Sequence, residues 1–251
     1  MSLYVYAIVD RACDPPAEWR GLAGAPLSTI GVRSIAAVVS EIAGPPRRDT
    51  TALVRHEALV EALAAHHRAL PVRFGTVLCD AGAVEQALSE RYESLAADLV
   101  RIGGHVELGI VALWREDGRE DVNAAAQPAE PASRAGARYL QARRRDHARA
   151  SAGKAAARQL ASELDVAVGD RAFDRRLSVV NEGRLVMRAA YLVAPADAAA
   201  IRAAIDELRG RRRDVAIVLS GPWPPYSFVS GQRGMEVEPI GMIRHAPRYP
   251  Q

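Results

Sequence analysis

The chain has 251 residues, 49% of them hydrophobic and 25% charged, with a formal net charge of +3. This is the balance of one large or two small folded domains with a real core, which excludes a disordered or fibrous chain. With no apolar run near the ~18 residues of a membrane span, no signal-peptide pattern in MSLYVYAIVD and only Cys13 and Cys79, a cytoplasmic protein is expected.

Leu3–Val9 (LYVYAIV) reads as a strand rich in β-branched and aromatic residues. Prolines and glycines between Pro15 and Pro26 mark a loop, and a second strand is expected over Val32–Ile42, ending at Gly44-Pro45-Pro46. Thr50–Arg68 carries an apolar stripe of Leu53, Leu59, Val60 and Leu63 at helical spacing, capped by Asp49, Thr50 or Thr51 and stopped by Pro71. Val72–Leu78 reads as a strand, and Asp80 as the cap of a helix Ala83–Val100.

Gly103-Gly104 is the strongest boundary signal, dividing an N-terminal α+β domain (1–103) from a C-terminal domain (104–251). After it come a strand His105–Trp114, a loop Glu116–Pro131 and a long helix over about 135–164. Two strands follow, Phe173–Val180 and Leu185–Val193, joined by Asn181-Glu182-Gly183 as a tight hairpin. Pro195 opens a helix Ala196–Arg209, and Asp214–Leu219 is the last strand. Strand-helix-strand-strand-helix-strand is the split βαβ, or ferredoxin-like, order, so the fold class expected is α+β with both helices on one face of an antiparallel sheet. The long helix exceeds what such a sheet covers. Its arginine-rich first half, Arg143-Arg144-Arg145 included, reads as a solvated face, a surface for a partner or a bracket between domains.

No set of residues carries recognisable chemistry. His56, His66 and His67 share a helix without a carboxylate at metal spacing, and His56-Glu57 lacks the second histidine of a zinc hydrolase helix. The chain has no phosphate loop, no dinucleotide fingerprint and no nucleophile elbow. Cys79 reads as a small buried hydrophobe. Catalytic, cofactor-binding and metal-ligating residues are therefore all expected to be none. Nucleic acid is disfavoured because no aromatics interleave the basic run.

Two strings stand out. Pro71-Val72-Arg73-Phe74-Gly75-Thr76 breaks a helix and enters a strand, with Phe74 filling the core and Arg73 on the opposite face. Gly221-Pro222-Trp223-Pro224-Pro225-Tyr226-Ser227-Phe228 packs three prolines and three aromatics into eight residues. Proline fixes φ and removes a donor, so this string is expected to leave the sheet edge as a stiff wedge. Trp223 and Phe228 should then be mostly buried, bracing the first domain.

These strings, with Leu3–Val9, the segment Val106-Glu107-Leu108-Gly109, and Tyr139-Leu140 with Arg143, resemble the gas vesicle protein F/L family in order along nearly the whole chain. Leu108 departs from the tryptophan expected there in many relatives. The resemblance implies a non-enzymatic cytoplasmic accessory protein of gas vesicle assembly. It would bind the hydrophobic shell protein or other accessory proteins, with Pro71, Arg73, Phe74, Gly75, Thr76, Glu107, Tyr139, Arg143, Gly221, Pro222, Trp223, Pro224, Pro225, Tyr226 and Phe228 as structural or partner-binding residues. Two alternatives stand beside it: an enzyme using Arg73 and His56 in an interdomain cleft, and a polyproline-type ligand formed by the exposed proline string.

Overall fold

The computed structural model describes residues 2–11, 13–44, 46, 49–115, 135–182 and 184–230, without the side chains of 135–142, 145–146, 148–150 and 181–182. The expected loop over Glu116–Pro131, Pro45 and the hairpin's Gly183 lie outside the described residues.

Strand β1 (Ser2–Asp10) lies at the centre of a five-stranded antiparallel sheet with β2 (Leu27–Val32), β3 (Ile35–Ile42), β4 (Ala69–Pro71) and β5 (Val77–Leu78). The order is β2-β3-β1-β4, and β5 also pairs with β1. Helix α1 (Thr50–His66) covers one face, and α2 (Ala81–Glu90) with α3 (Tyr92–Ile102) covers the other. That explains why LYVYAIV is apolar at every position. Leu3, Val5 and Ile8 face α2 and α3, while Tyr4, Tyr6, Ala7 and Val9 face α1. The alternation slips at Tyr6, where the register jumps between Val5↔Val39 and Ala7↔Val38. Such a bulge re-aims the following side chains, and it turns Tyr6 and Ala7 to the same side.

Three expectations for this half need correction. Val32–Ile42 is not one strand, because a turn at Arg33, with φ 52, separates β2 from β3; no glycine or asparagine marks that turn in the sequence. Val72–Leu78 is not one strand either. β1 pairs Ala7 with Pro71 and Tyr4 with Val77, so the segment opposite loops out three residues, and Gly75 with φ +88 permits the loop. The helix expected over Ala83–Val100 breaks at Arg91, whose φ −114 and ψ 12 are not helical. The caps behave as expected: Asp49 Oδ1 accepts from Ala52 N–H and Asp80 Oδ1 from Ala83 N–H, each at 2.8 Å.

The second sheet contains β6 (Val106–Trp114), β7 (Ala172–Glu182), β8 (Leu185–Val193) and β9 (Val215–Trp223), all antiparallel, in the order β7-β8-β6-β9. With α4 (Ala135–Val168) between β6 and β7 and α5 (Ala198–Arg211) between β8 and β9, this is the ferredoxin-like arrangement. Leu160, Leu164 and Val168 of α4 and Ile201, Ile205 and Leu208 of α5 join Leu108, Ile110, Met187, Tyr191 and Ile217 in one core, so both helices cover the same face. The other face is not free at its near end. Leu192 and Ala190 of β8 pack with Val5, Leu99 and Phe228 in the core of the first sheet.

The last strand does not stop at Leu219. β9 runs on to Trp223 and stays paired with β6, whose Gly109 faces Ser220 and Glu107 faces Trp223. One extra residue is absorbed in a bulge around Gly221-Pro222. Proline is tolerated because β9 is an edge strand, where the missing donor would have faced solvent. Pro222 is exposed accordingly.

Candidate functional site

The two strings singled out in the sequence, together with Glu107, meet where the first sheet, α1 and the second sheet come together. Tyr226 to Phe228 form a short 3-10 turn after β9. Phe228 is completely buried in the core of the first sheet, while Trp223 is only half-buried. Pro224 and Pro225 are buried, which rules out a proline ligand offered to solvent. Brace describes Phe228 well and Trp223 less well.

His56 of α1 is fully buried and is the centre of a hydrogen-bonded chain. Its Nε2 lies 3.0 Å from the carbonyl oxygen of Val72, which can only accept, so Nε2 carries the proton. Nδ1 then accepts from Tyr4 Oη at 3.0 Å, and Tyr4 Oη in turn accepts from Gly75 N–H at 2.9 Å. The Nε2 proton also faces Tyr226 Oη at 3.3 Å. The Tyr226 hydroxyl donates to Glu57, 3.2 Å from each carboxylate oxygen. Every donor in this chain meets an acceptor only if the imidazole is neutral. Burial enforces that state by lowering the His56 pKa to about 4. Burial likewise raises the pKa of Tyr4, Tyr226 and Glu57, the last opposed by the bond from Tyr226. The rings of Tyr4, Tyr6 and Phe74 surround the imidazole at centroid distances of 5.6, 5.8 and 5.6 Å. Residues 72–75 thus supply Val72 O and the Phe74 ring to the histidine and Gly75 N–H to its partner Tyr4.

Glu107 is the second anchor. Its carboxylate accepts from Ser227 N–H at 2.8 Å and Ser227 Oγ at 2.6 Å, which ties the motif to β6. Burial pushes its pKa up against those two bonds. A third anchor holds the end of the motif to α3. Buried Asp98 accepts from the Ser230 backbone and from Ser230 Oγ at 3.0 Å. Arg101 bridges Asp98 at 2.8 Å, Phe228 O at 2.8 Å and Asp174 of β7 at 3.3 Å.

Of the remaining expected site residues, Thr76 Oγ1 donates to Arg73 O at 2.8 Å and closes the loop. Pro71 is buried in β4, and Arg73 is half-buried. Gly221, with φ +98, lets the chain pass so close to Glu107 O that a Cβ would sit 2.5 Å from it. Tyr139 and Arg143 lie on α4, outside this cluster; Arg143 is exposed, and the Tyr139 side chain lies outside the described residues. Cys79 is exposed rather than buried, since it follows the short β5 at the sheet margin. Glu57, Asp98 and Asp174 partner the motif only in space, and no sequence pattern names Asp98 or Asp174 for that role. Glu57 beside His56 was the one available hint, because a carboxylate next to a helix-borne histidine is visible in sequence.

These groups satisfy one another, which is the chemistry of a clamp. The two carboxylates that could act as bases are occupied by Tyr226 and Ser227. A polar cavity of about 320 Å³ exists elsewhere, lined by Asp165, Asp170, Phe173 and Tyr191 among others. Among the described residues no group of histidine, cysteine and carboxylate side chains could hold a metal ion. No helix among them is long and apolar enough to cross a membrane.

The family model described as gas vesicle synthesis protein GvpL/GvpF matches residues 2–230. Gas vesicle protein F2 of Halobacterium salinarum is 28% identical over 239 residues, 93% of this chain and 94% of that protein. Gas vesicle protein L of a Streptomyces species is 36% identical over 188 residues, 69% of this chain and 66% of that protein. The crystal structure of the gas vesicle protein GvpF from Anabaena sp. PCC7120 superposes with a TM-score of 0.73 at 18% identity, covering 91% of this chain and 95% of that one.

Proposed function

Because the chain belongs to the GvpL/GvpF family of gas vesicle synthesis proteins, we propose that it is a non-enzymatic accessory factor that binds the hydrophobic vesicle shell protein, or other accessory proteins, during assembly. It acts in the cytoplasm and at the growing vesicle. The family match over residues 2–230 carries this reading. The clamp supports the non-enzymatic part, since it spends its polar groups on holding two sheets in a set orientation. A subunit of a gas-filled wall must present apolar surface, and exposed apolar surface aggregates before assembly. A rigid two-sheet body can hold such a subunit transiently without ordering itself on binding, and that preserves affinity. In this role Arg73, Glu107 and the Gly221–Phe228 string set the shape of the binding body.

The test is co-expression of the tagged chain with the shell protein, followed by retrieval on the tag. Co-retrieval is expected. No association, together with normal vesicles in a strain lacking this chain, would sink the reading.

A further inference from the structure

A sheet edge leaves a row of main-chain N–H and C=O groups without a ladder partner. Folded proteins guard such rows with short strands, proline, bulges or charge. Three of the four edges of this molecule are guarded. β4 and β5 contribute only three and two residues, with the looped-out segment between them. β9 carries the exposed Pro222 and a bulge against β6. β7 carries Asp174, Arg175 and Arg176 and is bulged twice against β8.

β2 has none of these guards. Its six residues, Leu27-Ser28-Thr29-Ile30-Gly31-Val32, include no charge and no proline. They pair with β3 in unbroken register from Leu27↔Ser40 to Val32↔Ile35. At about 3.4 Å per residue this edge is about 20 Å long. Among the described residues β3 is its only ladder partner, and no other main-chain bond reaches Leu27 to Val32. The side chains are placed to continue the sheet. Ile30 and Val32 pack against the core beneath α2 and Leu27 against the core beneath α1, yet all three are only half-buried. Ser28 and Thr29 are exposed.

We propose that the outer edge of β2 is a docking site for an extended, uncharged segment of a partner protein, which joins the sheet as a further strand. In strand addition main-chain bonds supply the affinity and alternate side chains the selectivity. Valine, isoleucine and threonine suit such a segment, and no β2 side chain offers a charge for it to pair with. A second copy of this chain suits the edge less. Six residues fall well short of the ~20–30 on each side of a specific interface between folded proteins, whereas an extended segment brings no other surface to align. The proposal deepens the assembly-factor reading and rests on it only for what the partner is; the open edge does not depend on it.

The experiment uses the full chain and a fluorescein-labelled peptide of alternating valine and threonine, with a lysine at each end for solubility. Fluorescence anisotropy and amide hydrogen exchange are the readouts. The peptide is expected to bind and to slow exchange of the amides between Leu27 and Val32 that do not bond β3. Ser28→Lys with Thr29→Lys places charge on the edge at two exposed positions and should weaken binding at least tenfold. Ser28→Thr with Thr29→Ser should retain it. Methylating all the backbone nitrogens of the peptide removes its donors and should abolish binding. Absence of protection over Leu27–Val32 in the parent would overturn the proposal whatever the variants do, as would equal binding by the parent and the lysine variant. A concentration-dependent dimer in sedimentation that the lysine variant abolishes would also overturn it, because the edge would then belong to a second copy. The shell protein is absent from this assay, so its outcome is independent of the co-retrieval test.

Discussion

Acidification should destabilise the protein through His56 before it reaches the range where most carboxylates titrate. An unfolded histidine titrates near 6.5, whereas burial lowers His56 to about 4 in the native state. Between those values the unfolded chain binds a proton that the folded chain refuses, so stability falls as pH falls. At pH 5 the linkage amounts to about 2 kcal/mol relative to pH 7.5, and to about 3 kcal/mol near pH 4. For a chain of this size 2 kcal/mol is about 4–8 °C in Tm. Glu57 and Glu107 work in the opposite sense. Their native pKa values are raised, so they add stability at low pH that is lost as pH rises through those values. The assay must therefore compare the parent with His56→Gln, which keeps a donor and an acceptor but does not titrate, and with His56→Asn as a second form. Urea unfolding at pH 7.5 and 5.0 should show the parent losing about 2 kcal/mol more than either variant over that interval. Parallel pH dependence in parent and variants would refute the neutral buried imidazole and the hydrogen-bond chain derived from it.

Other substitutions probe the rest of the clamp. Glu107→Gln should cost under about 1 kcal/mol, because its carbonyl still accepts from Ser227 N–H while the Ser227 hydroxyl turns to accept from the amide. Glu107→Ala leaves the part-buried Ser227 N–H without its acceptor and should cost about 1–3 kcal/mol; equal costs by urea unfolding would show that the carboxylate does not hold the motif. Phe228→Ala removes a fully buried ring between the two sheets and should cost about 3–5 kcal/mol by the same measurement. Gly221→Ala should destabilise by about 1 kcal/mol or more, since it combines a left-handed φ with a contact against Glu107 O. A neutral result in thermal unfolding would contradict the close passage of β9 past β6.

Much of this protein could be read along the chain. Local patterns settle local questions: Asp49 and Asp80 cap the helices they precede, and the strand-helix-strand-strand-helix-strand order of residues 106–223 leads directly to the ferredoxin-like sheet. The density of proline and aromatic residues at 221–228 also marks the segment that Phe228 anchors. Turns made by ordinary residues were not legible. Arg33 adopts a left-handed φ without being glycine, and Arg91 breaks a helix without proline, because in both places tertiary contacts outweigh weak local preferences. The fate of the proline string was equally a matter of position: Pro222 could stay in a strand only because β9 lies at the sheet's edge, which chain order alone does not state. The clamp lies furthest from the sequence, since Tyr226 and Glu57 are 169 positions apart and Ser230 and Asp98 are 132. The sequence by itself determined the helix caps, the strand and helix order of residues 106–223 and the family. Only the tertiary structure decided that His56 is buried, neutral and the centre of the junction, because protonation and pairing depend on what surrounds a side chain in space.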